Sequence, residues 1–266
     1  MLNVFGLLKN TPQQISANFT ARVIANGGTL SGTEQTAILN LVTNLQKNGL
    51  WDKLKAVYPF VGGTAASCAV NLVNNLYLGT FSSGWTFSST GGTPSGANTY
   101  MRCNNFNPLT LLPQFNTSFS YYSRTNNTFN GADIGCQKNP STDRVGFTIY
   151  FGGSAYADLN DFTNGRIGAV IANTSGLFLM SRETSTLMKM YRKNLQLGAT
   201  NTTLMNTALP NAIYSVGAID FNDGINYSST NRECAFAHMG TGLTQSEAFT
   251  FESNVQTFQT ALSRQV

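Results

Sequence analysis

The sequence predicts a mainly β sandwich, preceded by a helical region over residues 1–60 and closed by a C-terminal amphipathic helix. Three observations predict it. Charged residues make up only 11% of the 266, where about 25% is usual in a globular chain; Asn, Thr, Ser, Gln and 25 Gly take their place. Such residues suit turns and polar strand faces better than solvent-exposed helices. Hydrophobic residues still reach 41%, enough to build a core rather than remain disordered. Finally, from Thr64 onward short apolar runs alternate with turn residues, the pattern of an all-β sandwich.

The helical region comes first. Thr11-Pro12-Gln13-Gln14 supplies an N-cap, a proline at the first helical position and a capping-box glutamine. Ile15, Phe19 and Val23 follow at four-residue steps until Asn26-Gly27-Gly28 stops the helix. Ser31 and Glu34 form a second capping box, and Ile38, Leu41, Val42 and Leu45 make an i, i+3, i+4, i+7 stripe ended by Gly49. These helices either cap the sandwich or dock the domain on a larger assembly. The clearest strands are Phe119–Arg124, Val145–Phe151, Arg166–Ala172, Leu177–Arg182 and Leu187–Arg192, with connections at 88–98, 125–131 and 152–165. A turn at Lys193-Asn194 pairs Thr186–Arg192 with Leu195–Leu197, and Ala212–Ala218 pairs with Glu233–Gly240. The closing helix opens at the capping box of Thr244 and Glu247, with Phe251, Val255, Phe258 and Leu262 as its apolar stripe. No fixed-period repeat is present, which argues against a propeller or solenoid.

Two strand pairs followed by a capped helix resemble the closing section of concanavalin A-like and laminin-G-like jelly-roll domains. Further segments sharpen the likeness: Ala56–Ser67 with Asn71 and Leu72, Gly84–Gly96, Ser120–Arg124 and Val255–Val266. Together they resemble structural proteins of phages infecting gut bacteria, crAss-like phages among them, over nearly the whole chain. The resemblance implies a jelly-roll domain over 61–266, carried on a fibre, head decoration or tail appendage at the virion surface. It also implies other virion proteins as partners, a homo-oligomer (a trimer if fibre-like), and residues 1–60 as a docking module. It accounts for export without a secretory signal, since virions leave by lysis.

Several function classes are disfavoured. The net charge is +4, but Lys and Arg are scattered, so no nucleic-acid track is expected. Met1–Lys9 lacks the basic start and cleavage site of a signal peptide, and no apolar run approaches the roughly 20 residues that span a bilayer, so no membrane partner is expected. Cys68, Cys103, Cys136 and Cys234 lie far apart and allow three disulfide connectivities; buried free thiols are the expected state. The sequons at Asn18, Asn116, Asn126, Asn173, Asn201 and Asn226 fit chance in so Asn- and Thr-rich a chain.

Catalysis is not expected. Retaining glycosidases need two carboxylates about 5–5.5 Å apart, and none of the strands carries a matching pair. Glu183 follows a strand, Glu233 begins one, Glu247 caps a helix and Glu252 reads as a surface helix residue. His238, the only histidine, sits in an alternating strand without a nucleophile elbow. Gly62-Gly63 and Gly152-Gly153 read as turns, not phosphate loops. No cofactor is required, and calcium is the one ion the oxygen-rich loops suit. Asp220, Asn222 and Asp223 alternate oxygen ligands, although the EF-hand spacing fails and Asx-turns explain the stretch equally. A glycan is the expected ligand class, because Trp85, Tyr121, Tyr122, Arg124, Tyr156, Asp158, Asn160 and Asp161 combine rings for stacking with groups that hold hydroxyls. Tyr121 and Tyr122 point to opposite strand faces, so at most one lines any groove. The sequence thus points to a non-catalytic virion structural protein with a lectin-like domain. A lectin-type adhesin is the alternative, and a glycan depolymerase follows behind.

Overall fold

All three capping boxes legible in the sequence form: Thr11 with Gln14, Ser31 with Glu34 and Thr244 with Glu247 each satisfy two orphan N–H groups and open a helix. The computed structural model describes residues 10–138, 142–221 and 227–266, so the apolar start Met1–Lys9 lies outside them. Helices α1 (Pro12–Ala25) and α2 (Gly32–Lys47) lead into β1 (Leu54–Tyr58) and the one-turn α3 (Ala65–Cys68). Next come β2 (Gly79–Phe81), β3 (Trp85–Ser88), β4 (Gly91–Pro94), β5 (Met101–Cys103) and the short α4 (Pro108–Leu111). The middle of the chain forms β6 (Thr117–Ser123), β7 (Ile134–Gln137), β8 (Asp143–Phe151) and β9 (Ser154–Val170). Then follow β10 (Gly176–Thr184), β11 (Leu187–Arg192), β12 (Leu195–Gln196), β13 (Ser215–Val216) and β14 (Ala218–Phe221). Last are β15 (Tyr227–Ser229), β16 (Cys234–Gly240) and α5 (Gln245–Ala261).

Among the described residues the strands build two sheets. The first runs β12-β11-β10-β6-β16-β4-β3, with β1 also paired to β16; the second runs β15-β14-β7-β13-β5-β2, with β8 on β7 and β9 on β8. Pairing is antiparallel throughout except between β7 and β14. The chain is therefore a β-sandwich with a C-terminal helix, as the sequence predicts.

A third layer covers the first sheet. One core fills the space between the sheets, with Phe119, Tyr121, Phe147, Phe178, Met190 and Met239. A second lies between the first sheet and α1, α2 and α5, with Phe19, Ile38, Val42, Tyr122, Leu179, Phe236, Phe251 and Phe258. The centre of the first sheet is thus buried on both faces, and β6 and β16 are buried at every position. Polar strand residues survive there because each finds a partner. Ser118 Oγ donates to Thr241 O (2.6 Å) and so receives from His238 Nε2 (3.1 Å), while Ser120 Oγ donates to Nδ1 (2.6 Å). This leaves His238 neutral, and burial pushes its pKa down to about 3.

Arg264 closes the helical layer. Its guanidinium is buried with no ion-pair partner among the described residues and donates to Gln259 Oε1 (2.6 Å), Phe60 O (2.8 Å), Pro59 O (2.6 Å) and Ala235 O (2.9 Å). Burial lowers its pKa to about 10. Phe60, which it holds, has φ +48°, a left-handed conformation that a bulky residue adopts only when its surroundings enforce it. All four cysteines are buried thiols outside any disulfide, and burial pushes the Cys68 and Cys103 thiols up to about 12.

Four expectations are corrected. Ala212–Ala218 and Glu233–Gly240 do not pair: β13 and β14 join the second sheet, and β16 joins the first beside β6. Sequence neighbours here are split across the sandwich, because a strand buried on both faces belongs at the centre of a covered sheet. The connection at 152–165 is largely strand. Gly152-Gly153 (φ +57° and +91°) turns, after which Ala155, Ala157 and Leu159 alternate inward up to a second turn at Asp161–Asn164. The helical region does not end at residue 60, since β1 already belongs to the sheet. Glu252 is no surface residue but is buried against the Lys193-Asn194 turn, where its carboxylate accepts both backbone N–H groups (2.6 and 2.8 Å). No helix among the described residues is long and apolar enough to cross a membrane.

Candidate ligand-binding cleft

The span labelled β9 reverses direction at Asp161–Asn164. The Ile171 N–H reaches Gly153 O (3.1 Å), and a Cβ on Gly165 would meet Leu159 O at 2.1 Å, so only glycine allows the two arms to approach. The reversal is an Asx-turn, in which Asp161 Oδ1 accepts from Thr163 N and Asn164 N (2.9 Å) while Oδ2 accepts from Thr142 Oγ1 (2.8 Å). With β8, these arms make a three-strand meander whose inner face carries Val145, Phe147, Ala157 and Leu159. Its outer face carries Arg144, Thr148, Tyr156, Asp158 and Arg166.

These outward residues line or floor a cleft of about 350 Å³, completed by Asn130, Gly131, Ala132, Phe151, Phe221 and Ser228. Asp158 is fully buried beneath it. Arg166 grips it with two bonds, Nε to Oδ1 (2.6 Å) and Nη2 to Oδ2 (3.0 Å), and Arg144 Nε approaches Oδ2 at 3.0 Å. That Arg144 N–H does not point along a hydrogen bond, so the contact is an ion pair alone. The Asp158 hydrogen bonds raise the Arg166 pKa, whereas burial lowers that of Arg144 against the pull of Asp158. The guanidinium of Arg166 lies 5.0 Å over the Tyr156 ring and that of Arg144 5.6 Å over Phe221. Phe151 stands at the rim, 58% exposed.

The residues singled out from sequence are dispersed. Tyr156 and Asp158 belong to the cleft. Asn160 and Asp161 lie farther along the same span but are spent locally: Asn160, at φ +72°, donates to Gln114 O (2.9 Å) and Thr207 O (3.0 Å), and Asp161 makes the Asx-turn. Of Tyr121 and Tyr122 at most one was expected to line a groove; both are buried, a correction that follows from the third layer. Tyr121 donates to Arg232 O (2.6 Å) within the sandwich, and Tyr122 donates to Gln256 Oε1 (3.0 Å) under α5. Trp85 packs in an aromatic cluster, stacked on Phe60 (6.2 Å) and Phe87 (6.0 Å). Arg124 pairs with Glu233 (3.0 Å) and donates to Arg264 O (2.8 Å). For calcium, Asp220 is fully buried on β14, 4.0 Å from Arg102, while Asn222 and Asp223 lie outside the described residues. No cluster of three His, Cys, Asp or Glu suited to a metal occurs among the described residues.

Arg144 and Arg166 were not singled out from sequence. Their signal was present in period two: in a strand whose even positions face outward, Tyr156, Asp158 and the arginines across from them share one face. Two larger clefts lie by the helices, but their charges are consumed in folding. Glu34 accepts from Ser31 and Gly62 N (2.6 Å), and Arg22 donates to Asn71 O (3.1 Å) and Leu72 O (3.0 Å).

No family profile matches the sequence, and no curated protein matches it significantly. Solved structures do match the fold. Domain 4 of AbnA, a GH43 extracellular arabinanase from Geobacillus stearothermophilus in complex with arabinotriose, aligns with TM-score 0.52 and 13% identity over 75% of this chain and 98% of that one. A Trypanosoma rangeli sialidase mutant displaying trans-sialidase activity aligns with TM-score 0.51 and 7% identity, over 83% of this chain and 39% of that one. The botulinum neurotoxin serotype D binding domain aligns with TM-score 0.50 and 10% identity, over 76% of this chain and 52% of that one. The chain thus spans about half or less of the sialidase and toxin chains. At such identities the likeness establishes a shared β-sandwich architecture.

Proposed function

We propose that this chain is a non-catalytic glycan-binding domain displayed on a virion surface. One observation carries the binding half of the reading: the outer-face cleft joins aromatic rings to a fan of guanidinium donors over a buried carboxylate, the mixture that holds a sugar by its faces and its hydroxyls. Two fold neighbours support it, an arabinanase domain in complex with arabinotriose and a neurotoxin binding domain. Catalysis is absent from the reading because Asp158, the acid beneath the cleft, is saturated by two arginines and withdrawn from solvent.

A second reading, a purely structural virion protein, is favoured by a different observation. The segments that carry the phage resemblance, Ala56–Ser67 and Gly84–Gly96, meet in the fold, with Phe60 stacked on Trp85 (6.2 Å). They therefore act as a packing motif. Other virion proteins and further copies of the chain, a trimer if fibre-like, are the partners this reading requires.

A glycan-array screen of the purified protein, with and without calcium, separates the two. Binding lost by roughly tenfold or more in Tyr156→Ala, with Thr33→Ala in a helix-side cleft as the unaffected control, supports a lectin-like role. Silence across a broad array from a well-folded protein overturns it in favour of the structural reading.

A further inference from the structure

Resting on the glycan-binding reading, we infer that the cleft selects acidic saccharides, those bearing a carboxylate or sulfate, over neutral ones. In a chain with only 11% charged residues, three charged side chains converge here, and among the described residues they do not cancel: two guanidinium groups face one carboxylate, an excess of one positive charge. The next acids along the strands, Asp143 and Asp161, do not line the cleft, and Asp161 is turned into its Asx-turn.

The donors left over are suitably placed. Arg166 spends Nε and Nη2 on Asp158, its side chain remains 35% exposed, and its Nη1 has no partner among the described residues. Arg144 donates from Nη2 to Thr148 Oγ1 (3.4 Å), while its Nε is buried without a hydrogen-bond acceptor. Arg144 Nε, buried against Asp158, is closed to a ligand, so the open donor is Arg166 Nη1, from which a ligand carboxylate would accept a hydrogen bond and offset the excess positive charge. Asp158 thus acts as a positioning residue that fixes the two guanidinium planes before ligand arrives, so little side-chain freedom is lost on binding. The Tyr156 ring beneath Arg166 braces the same plane. At about 350 Å³ the cleft is at the small end of ligand sites, about 300–1,000 Å³, which suits a terminal acidic residue rather than a long chain.

The test is titration of the intact protein with 3′-sialyllactose, trigalacturonate and a sulfated disaccharide, against lactose as the neutral core and a short single-stranded DNA as a generic polyanion. At least one acidic sugar should bind roughly tenfold more tightly than lactose, with the preference shrinking as salt rises from about 50 to about 500 mM. Arg166→Gln should erase the preference; Arg166→Lys, which keeps the charge but not the fork, should restore only part of it. Equal binding of lactose overturns the acidic preference and leaves the glycan reading standing. DNA bound as tightly as the sugars overturns it as nonspecific charge attraction. No saccharide bound at all removes both readings. Because the contrast between acidic and neutral sugars is measured on the unaltered protein, the outcome stands even if a variant misfolds.

Discussion

His238 shows how one residue sets a pH limit on the whole fold. Its ring is neutral, hydrogen-bonded at both nitrogens and held at a pKa of about 3, against about 6.5 for the unfolded chain. Above pH 6.5 neither state is protonated there, and the full stability is present. As pH falls from 6.5 towards 3 the unfolded chain takes up a proton that the folded protein refuses, so stability drops by about 1.4 kcal/mol per pH unit from this group. The urea midpoint should therefore decline across that window in the wild type and decline less in His238→Gln. Equal slopes in both proteins would remove His238 as the cause. At this scale the sequence was informative about type and silent about surroundings: a lone histidine in an alternating strand was legible as a non-catalytic strand residue, packed or solvent-facing, but neither its burial nor the serines that partner it were legible.

At the scale of elements, the Lys193-Asn194 turn was readable as a hairpin, yet its stabilising partner was not. Both residues have φ near +53°, and Glu252, 59 positions from Lys193, accepts both of their N–H groups from α5. Glu252→Ala should cost about 1.5–3 kcal/mol, the worth of hydrogen bonds to a charged group, measurable as a lower denaturant midpoint. Glu252→Gln, which keeps one acceptor oxygen, should recover part of it. Helices were the most legible elements, because caps and stripes such as Ser31, Glu34 and Leu41 are local signals. Strands between 143 and 192 were mostly legible as well. The outward arm of β9 was hidden because Asn160, Asp161 and Gly165 disfavour strand on their own, and cross-strand bonding to β8 overrides that preference. The cleft was half legible for the same reason: Tyr156 and Asp158 are neighbours in sequence, whereas Arg144 and Arg166 join them only once the meander forms. Tyr121 and Tyr122 show the opposite limit, since a strand covered on both faces loses the alternation by which exposure is read.

For the whole molecule, the decisive fact is that helices and sandwich share the first sheet. Leu177, Leu179, Tyr122 and Phe236 face the helices, so the layers should melt together. Tryptophan fluorescence and far-UV circular dichroism should report coincident transitions, and a chain cut to 61–266, which also loses β1, should be insoluble or lack a cooperative transition. A soluble, folded fragment would make the helical region a separate unit after all. The Arg264 clasp carries this interdependence into biosynthesis. Its acceptor at Phe60 lies 204 positions earlier, so a ribosome adding about 5–20 residues per second leaves that acceptor waiting about 10–40 s for its donor. For most of that interval β1 has no β16 to pair with, and the apolar sides of α1 and α2 lack Phe236 and the partners that α5 supplies. Completion of the helical layer is thus postponed until Arg264 has been made, and holdase chaperones are the natural occupants of those helices in the meantime.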